Sequence, residues 1–243
     1  MMSNAAAAED FAPVGPRFMT RVFCAFAALA VLSLAISVGG KWLGRYIATV
    51  GHTEDMTRHA IRIGDTTLAI PANMIRFGDQ RRDGEAVRVE LYVKWPEMTG
   101  YTHADRDAFN NRRDTREIVF MTIEERQMSH DMSGRLEPIY RQLIELPGAP
   151  GPAAGLRVYA FSPDSGYVGE TLIVGGRQGS EPFVARCLTG DAAATSLAGC
   201  ERDVHIGKEL SLTYRFPERM LQSWQALDAA VLARTAELLR PDA

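Results

Sequence analysis

Hydrophobic and polar positions divide the chain into two regimes. Residues 22–40, VFCAFAALAVLSLAISVGG, run without a single charge. A helix over that stretch spans about 28 Å, close to the hydrocarbon thickness of a bilayer. From residue 59 onward the period is mostly two, as half-buried strands require. Residues 59–63, 67–70 and 73–77 read as short extended pieces, with Pro71 at an edge or bend. Residues 86–95, AVRVELYVKW, form the clearest strand. Val87, Val89, Leu91, Val93 and Trp95 are expected inside; Arg88, Glu90, Tyr92 and Lys94 are expected outside. Gly84 marks a hairpin turn before it. Residues 116–126 carry apolar side chains on both faces and predict a strand covered on both sides. Further strands are expected over 156–161, 171–174, 183–188, 203–206 and 210–216. The turn signals Gly175-Gly176 and Gly207-Lys208 give the spacing of an antiparallel meander, not of βαβ units.

Three segments switch to helical spacing. Helical character is expected around 104–111. Residues 135–146, RLEPIYRQLIEL, place Leu136, Ile139, Tyr140, Leu143 and Ile144 on one face, with Pro138 in the first turn. A long C-terminal helix is expected to start at Pro217, with Met220, Trp224, Leu227, Val231 and Leu238 in one stripe. Residues 147–155, PGAPGPAAG, form a Pro/Gly loop inside what is expected to be one domain. The fold class is therefore α+β: an N-terminal transmembrane helix, then a mainly antiparallel sheet domain with a short internal helix and a long C-terminal helix.

The flanks of the apolar run fit a membrane anchor. Arg17 and Arg21 precede it, and Lys41, Trp42, Arg45 and Tyr46 follow it, the rings suiting the headgroup layer. The expected division is a cytoplasmic tail over 1–21, the anchor over 22–40, a spacer over 41–58 and the exported domain over 59–243. Two alternatives compete. A cleaved signal peptide has only Ser33-Leu34-Ala35 as a small-x-small site, and that lies inside the apolar run. A buried core helix would carry more of a polar face than Ser33 and Ser37 provide.

The basic residues at the two ends of the run do not decide orientation, so the cysteines do. Cys187 and Cys200 bracket LTGDAAATSLAG, which has no strong structure of its own. A disulfide closing that loop contributes about 3 kcal/mol in the chain-entropy model and persists only in oxidising compartments. The alternatives are two separate buried thiols or a zinc pair. The latter lacks further ligands at suitable spacing. Cys24 lies inside the anchor as a small apolar residue. The expected topology is N-terminus in the cytoplasm and C-terminal domain outside, in the periplasm of a Gram-negative cell.

Composition narrows the chemistry further. A net charge of −3 leaves no basic footprint for nucleic acid. Only three of the 27 basic residues are lysine, and the arginines are spread along the chain, which reads as codon usage. No nucleophile elbow, zinc-protease motif, phosphate loop or redox cysteine pair is present, and no cofactor or metal is expected. Gly175-Gly176-Arg177-Gln178-Gly179 reads as a hairpin turn. Thr102 and Asp105 fit a helix cap, with calcium binding by Asp105 and Asp107 the weaker alternative. His130, Asp131 and Ser133 are too close in sequence for a triad and read as a solvated loop. The aromatic-tipped loops 95–101 and 162–167 are the candidate contact surface, through Trp95, Met98, Tyr101 and Tyr167.

The segments WPEMTGY (95–101), DMSGRLEPIY (131–140), AFSPDSGYVGE (160–170), FVARC (183–187) and CERDVHIGKELSLTYRFP (200–217) carry a resemblance. With them the chain resembles single-pass transmembrane-anchored periplasmic proteins of alphaproteobacteria. That resemblance implies a domain beyond the inner membrane and supplies no ligand or catalytic residue. The expected function is a non-catalytic, inner-membrane-anchored domain that binds another cell-envelope component, with the bilayer as its first partner. The alternative is an envelope enzyme, hydrolase-like, using His103, His130, His205 or the acidic groups.

Overall fold

The computed structural model describes residues 16–48, 51–177 and 179–239, with side chains of the first helix described over 16–39. The expected tail up to residue 15, Gln178, and the side chains of Lys41, Trp42, Arg45 and Tyr46 lie outside the described residues. Helix α1, Pro16–Ala48, starts earlier and runs further than the apolar run alone predicts. The most apolar 18 residues within its Pro16–Gly39 portion have a mean hydropathy of 2.4, and none of that stretch is buried by protein. A core helix would bury one face, so that alternative is set aside for this segment.

Residues 51–243 form a separate compact unit. Strands β1 (Arg58–Ile63), β2 (Thr66–Pro71) and β3 (Gly84–Glu85) make a small sheet in the order β2-β1-β3. Strand β4 is Arg88–Lys94. Helix α2 (Arg106–Phe109) and β5 (Ile118–Glu125) follow, then a π-helical turn Leu136–Tyr140 and α3 (Arg141–Leu143). Next come β6 (Ala149–Pro150), β7 (Leu156–Ala160), β8 (Glu170–Gly175), β9 (Phe183–Leu188), α4 (Gly190–Thr195), β10 (Cys200–Ile206), β11 (Leu210–Phe216) and α5 (Trp224–Leu238). The large sheet is antiparallel throughout, in the order β4-β5-β11-β10-β9-β8-β7-β6. The expected α+β class and meander are what forms.

Alternation explains the main core. Val89, Leu91 and Val93 of β4, Val119, Met121 and Ile123 of β5, and Leu210, Leu212, Tyr214 and Phe216 of β11 point to one face. They share an apolar cluster with Ile61 and Ile63 of β1, Leu68 and Ile70 of β2, and the α5 stripe. Each such large side chain contributes about 1.5–3 kcal/mol by leaving water. The expected stripe is buried as drawn, from Met220 and Trp224 to Leu238. Gly175 lets this packing come close: a Cβ on it would lie 2.9 Å from Leu156 Cδ2 and 3.0 Å from the Trp224 ring, so both side chains would have to shift.

Several expectations need correction. Residues 73–77 do not extend; Ala72–Met74 forms a 3₁₀ turn, after which only Ile75 pairs, with Leu91 of β4. Val87 is 87 % exposed because β4 begins at Arg88, and Tyr92 is only 3 % exposed because an aromatic cluster covers it. The second helix stops at Leu143, Ile139 is exposed, and Ile144 pairs instead with Phe161. The helix expected from Pro217 begins as 3₁₀ turns over Glu218–Ser223 and becomes α-helical only at Trp224. The loop between the cysteines, read as structureless, contains α4.

Cys187 and Cys200 face each other on β9 and β10 and form the disulfide. The bond staples adjacent strands at the point where the chain leaves the sheet for α4.

Candidate functional site

Pairing register decides which side chains meet on the far face of the large sheet. One row across four strands runs Glu90, Thr122, Thr213, Asp203. The next runs Phe120, Arg215, Glu201, Arg186. A third runs Arg88, Glu124, Ser211, His205. Two apolar clusters flank these rows. Tyr92, Tyr101, Ala108 and Ile118 form one over β4 and β5, and Met132, Leu136, Tyr140, Tyr159, Phe161 and Leu172 belong to the other, over β7 to β9. Strands β10 and β11 contribute no residue to either. The middle of this face is therefore a polar strip between two apolar shoulders. Thr122, Glu124, Ser211 and Thr213 are half-buried and Arg215 is exposed.

Most charges in the strip are already paired. Arg186 donates to Glu170 at 3.1 Å and to Glu201 at 2.9 Å, and its guanidinium lies 5.0 Å from the Tyr167 ring. Thr122 donates to Glu90 at 3.0 Å. Arg135 donates to Asp203. Burial nevertheless pushes the Asp203 carboxyl above its ordinary range, against the pull of Arg135, and Asp131 adds to the push. Arg215 and Glu124 have no ion-pair partner among the described residues. They are left for a ligand or for water.

The candidate contact residues separate into accessible and inaccessible ones. Met98 and Tyr101 are buried; Trp95 is half-buried and packs against the main core. Tyr167 is half-buried, stacks on Phe161 with centroids 4.4 Å apart, and borders the strip beside Arg186. The four are not brought to one place: Tyr167 belongs with the β7–β9 shoulder and Tyr101 with the opposite one. Thr102 and Asp105 bond each other reciprocally, at 2.6 Å and 3.2 Å, and Lys94 takes Asp105 at 2.7 Å. These bonds close a turn ahead of α2, whose N-cap is Asp105 and makes no side-chain capping bond, so the expected helix cap at Thr102 is not what forms. Ser133 is buried rather than solvated. It donates to the Pro182 carbonyl and accepts from Arg202, so its hydroxyl is committed to packing. No group of three metal-ligating side chains occurs among the described residues.

Two features escaped the sequence reading. The first is the attachment of residues 51–57, expected to be spacer. His52 stacks on Tyr101 with centroids 4.5 Å apart and its Nδ1 lies 3.0 Å from the Tyr92 hydroxyl. Asp55 and Thr57 accept backbone bonds from Asn73 and Ala72. Burial lowers the His52 pKa below 6.5; the hydrogen bond to Asn110 opposes this and Arg81 adds to it. A histidine depressed in the folded state binds fewer protons than when unfolded. Its contribution is complete above 6.5 and is lost as pH falls from there through the folded value. The protection of residues 53–57 against hydrogen exchange, corrected for the intrinsic slowing of exchange in acid, should fall on acidification across that window, and a His52→Phe variant should show no such fall.

The second feature is a buried ionic cluster. Asp228 of α5 is fully buried and accepts from Arg202 at 3.0 Å, from Arg177 and from Tyr214. Arg202 lies on the same face of β10 as the buried Cys200 and Val204, but the strand expected over 203–206 begins after it, so its burial was not anticipated.

No protein-family model matches the chain, and no curated protein sequence matches it. A solved structure similar to it is that of the Neisseria meningitidis iron-regulated outer membrane lipoprotein FrpD. The identity is 12 %, the TM-score 0.47, and the match covers 78 % of this chain and 97 % of that one.

Proposed function

We propose that this protein is a single-pass, inner-membrane-anchored domain whose C-terminal part lies in the periplasm and binds another envelope component without catalysis. The observation that carries this reading is the polar strip: a sheet covered by apolar cluster on one face and left open along β10 and β11 on the other. Sheet faces of a stable domain bury what is apolar, and a row of half-buried threonines, serine and charged groups beside the exposed Arg215 offers hydrogen bonds to a partner. The helix α1 supports the tether, because an apolar surface of that length needs a non-aqueous neighbour. The disulfide supports an oxidising address. On the same reading α1 is retained rather than removed as a signal sequence.

A photo-crosslinking residue at Thr213 or Ser211, introduced in living cells, tests this. The expected result is one specific envelope-protein adduct from both positions and none from Gln225, which is exposed on α5. Absence of an adduct from the strip, together with hydrolase turnover abolished by His205→Ala, would replace the binding role by the enzyme alternative.

A further inference from the structure

Three parts of the chain far apart in sequence line a cavity of about 200 Å³: Arg116, the disulfide-closed loop 188–199, and the 217–219 turn after β11. Arg116, Ser196, Gly199, Glu218 and Arg219 are among its walls. We propose that this cavity is a binding site for a small carboxylate, gripped by Arg116 and Arg219. The inference does not rest on the partner-binding strip.

Arg116 is held in advance of any ligand. Its φ is +47°, and Asn111 and Asp114 are also left-handed, at +48° and +50°. A non-glycine residue keeps that conformation only where surrounding bonds enforce it. Here they do. The Arg116 N–H donates to Asn111 Oδ1 at 3.0 Å, Nε to Asp114 Oδ1 at 2.9 Å, and Nη2 to the Ala194 carbonyl at 3.0 Å. Those bonds fix the guanidinium plane and leave the Nη1 edge without a partner among the described residues. A planar fork held in place is the geometry that a carboxylate takes up with least loss of freedom.

Arg219 adds the second positive charge. It makes no ion pair among the described residues, yet it acts together with Arg116 and Asn111 to hold the Asp114 carboxyl below its ordinary range. Asp114 thus stays charged and keeps Arg116 oriented. Glu218 lines the same cavity, so the walls carry two guanidiniums and one carboxylate. A ligand with a carboxylate satisfies the first pair, and an amine on the same ligand satisfies Glu218. Gly199 leaves room: a Cβ there would meet its nearest neighbours only at 3.9–4.0 Å.

Isothermal titration of succinate, and separately of aspartate, into the detergent-solubilised full chain tests the site. The expected result is saturable binding with a Kd of about 1 mM or tighter, weakened about tenfold by Arg219→Gln and unchanged by Arg141→Gln, an exposed arginine elsewhere. Aspartate binding more tightly than succinate would support the site with the amine beside Glu218. The reverse order would support it for simple acids. Arg219→Gln alters an exposed side chain, so a preserved thermal midpoint confirms that the variant is folded. No saturable heat for either acid, or an identical Kd in folded Arg219→Gln, would overturn the proposal.

Discussion

Replacing Asp228 by asparagine is expected to destabilise the domain by about 3–5 kcal/mol, the cost of leaving a buried charge without its partner. Asp228 is fully enclosed on α5, and its carboxylate is the shared acceptor for Arg202, Arg177 and Tyr214. Arg202 is itself buried and reaches on to Ser133 and the Val184 carbonyl, both at 2.9 Å. Its guanidinium also lies over the Phe183 ring at 4.9 Å. One carboxylate therefore ties α5 to β9, β10, β11 and the 132–135 segment. Burial alone would push the Asp228 pKa up; Arg202, Tyr214 and Arg177 outweigh it and hold it below 3.8. A depressed carboxylate stabilises the fold fully above the unfolded value and loses that contribution as pH falls through the folded one. Chemical denaturation at neutral pH measures the loss. The paired replacement Asp228→Leu with Arg202→Met removes the most buried ion pair and should recover part of it, the remainder being the cost of leaving Arg177 and the buried Tyr214 hydroxyl without their acceptor. Equal losses in the single and paired variants would mean that shape at this position, and not charge pairing, fixes α5.

Much of this architecture was legible because alternation and burial agree. β4, β5, β9 and β11 fell where Val, Ile, Leu and Phe recur at period two, and the α5 stripe where Met220, Trp224, Leu227 and Val231 recur at helical spacing. The failures have physical reasons. Tyr92 sits on the wet side of the β4 pattern, and only the tertiary approach of His52, Tyr101 and Phe109 buries it. Arg202 and Asp228 are buried against type because each supplies what the other needs, a relation invisible to a window of neighbours. The polar strip could not be drawn from sequence because it depends on register between β5, β11 and β10. The two cysteines were an exception: their spacing around a small-residue loop was enough to expect the bond that forms between β9 and β10.

On the proposed tether, α1 carries the second large effect. An arginine at Leu29, near the middle of the apolar part of α1, is expected to cost about 2.5–3.5 kcal/mol of membrane insertion. That shifts a substantial share of the chain out of the bilayer, and it does so without touching the folded unit of residues 51–243. A domain that stayed on the membrane in Leu29→Arg would owe its attachment to a partner.

Intact-mass spectrometry of the washed membrane and aqueous fractions of the native chain is the most direct test of the tethered-domain account. The account predicts a mass that includes α1 in the membrane fraction. The same mass in the aqueous fraction, or a shorter chain lacking α1, would contradict it.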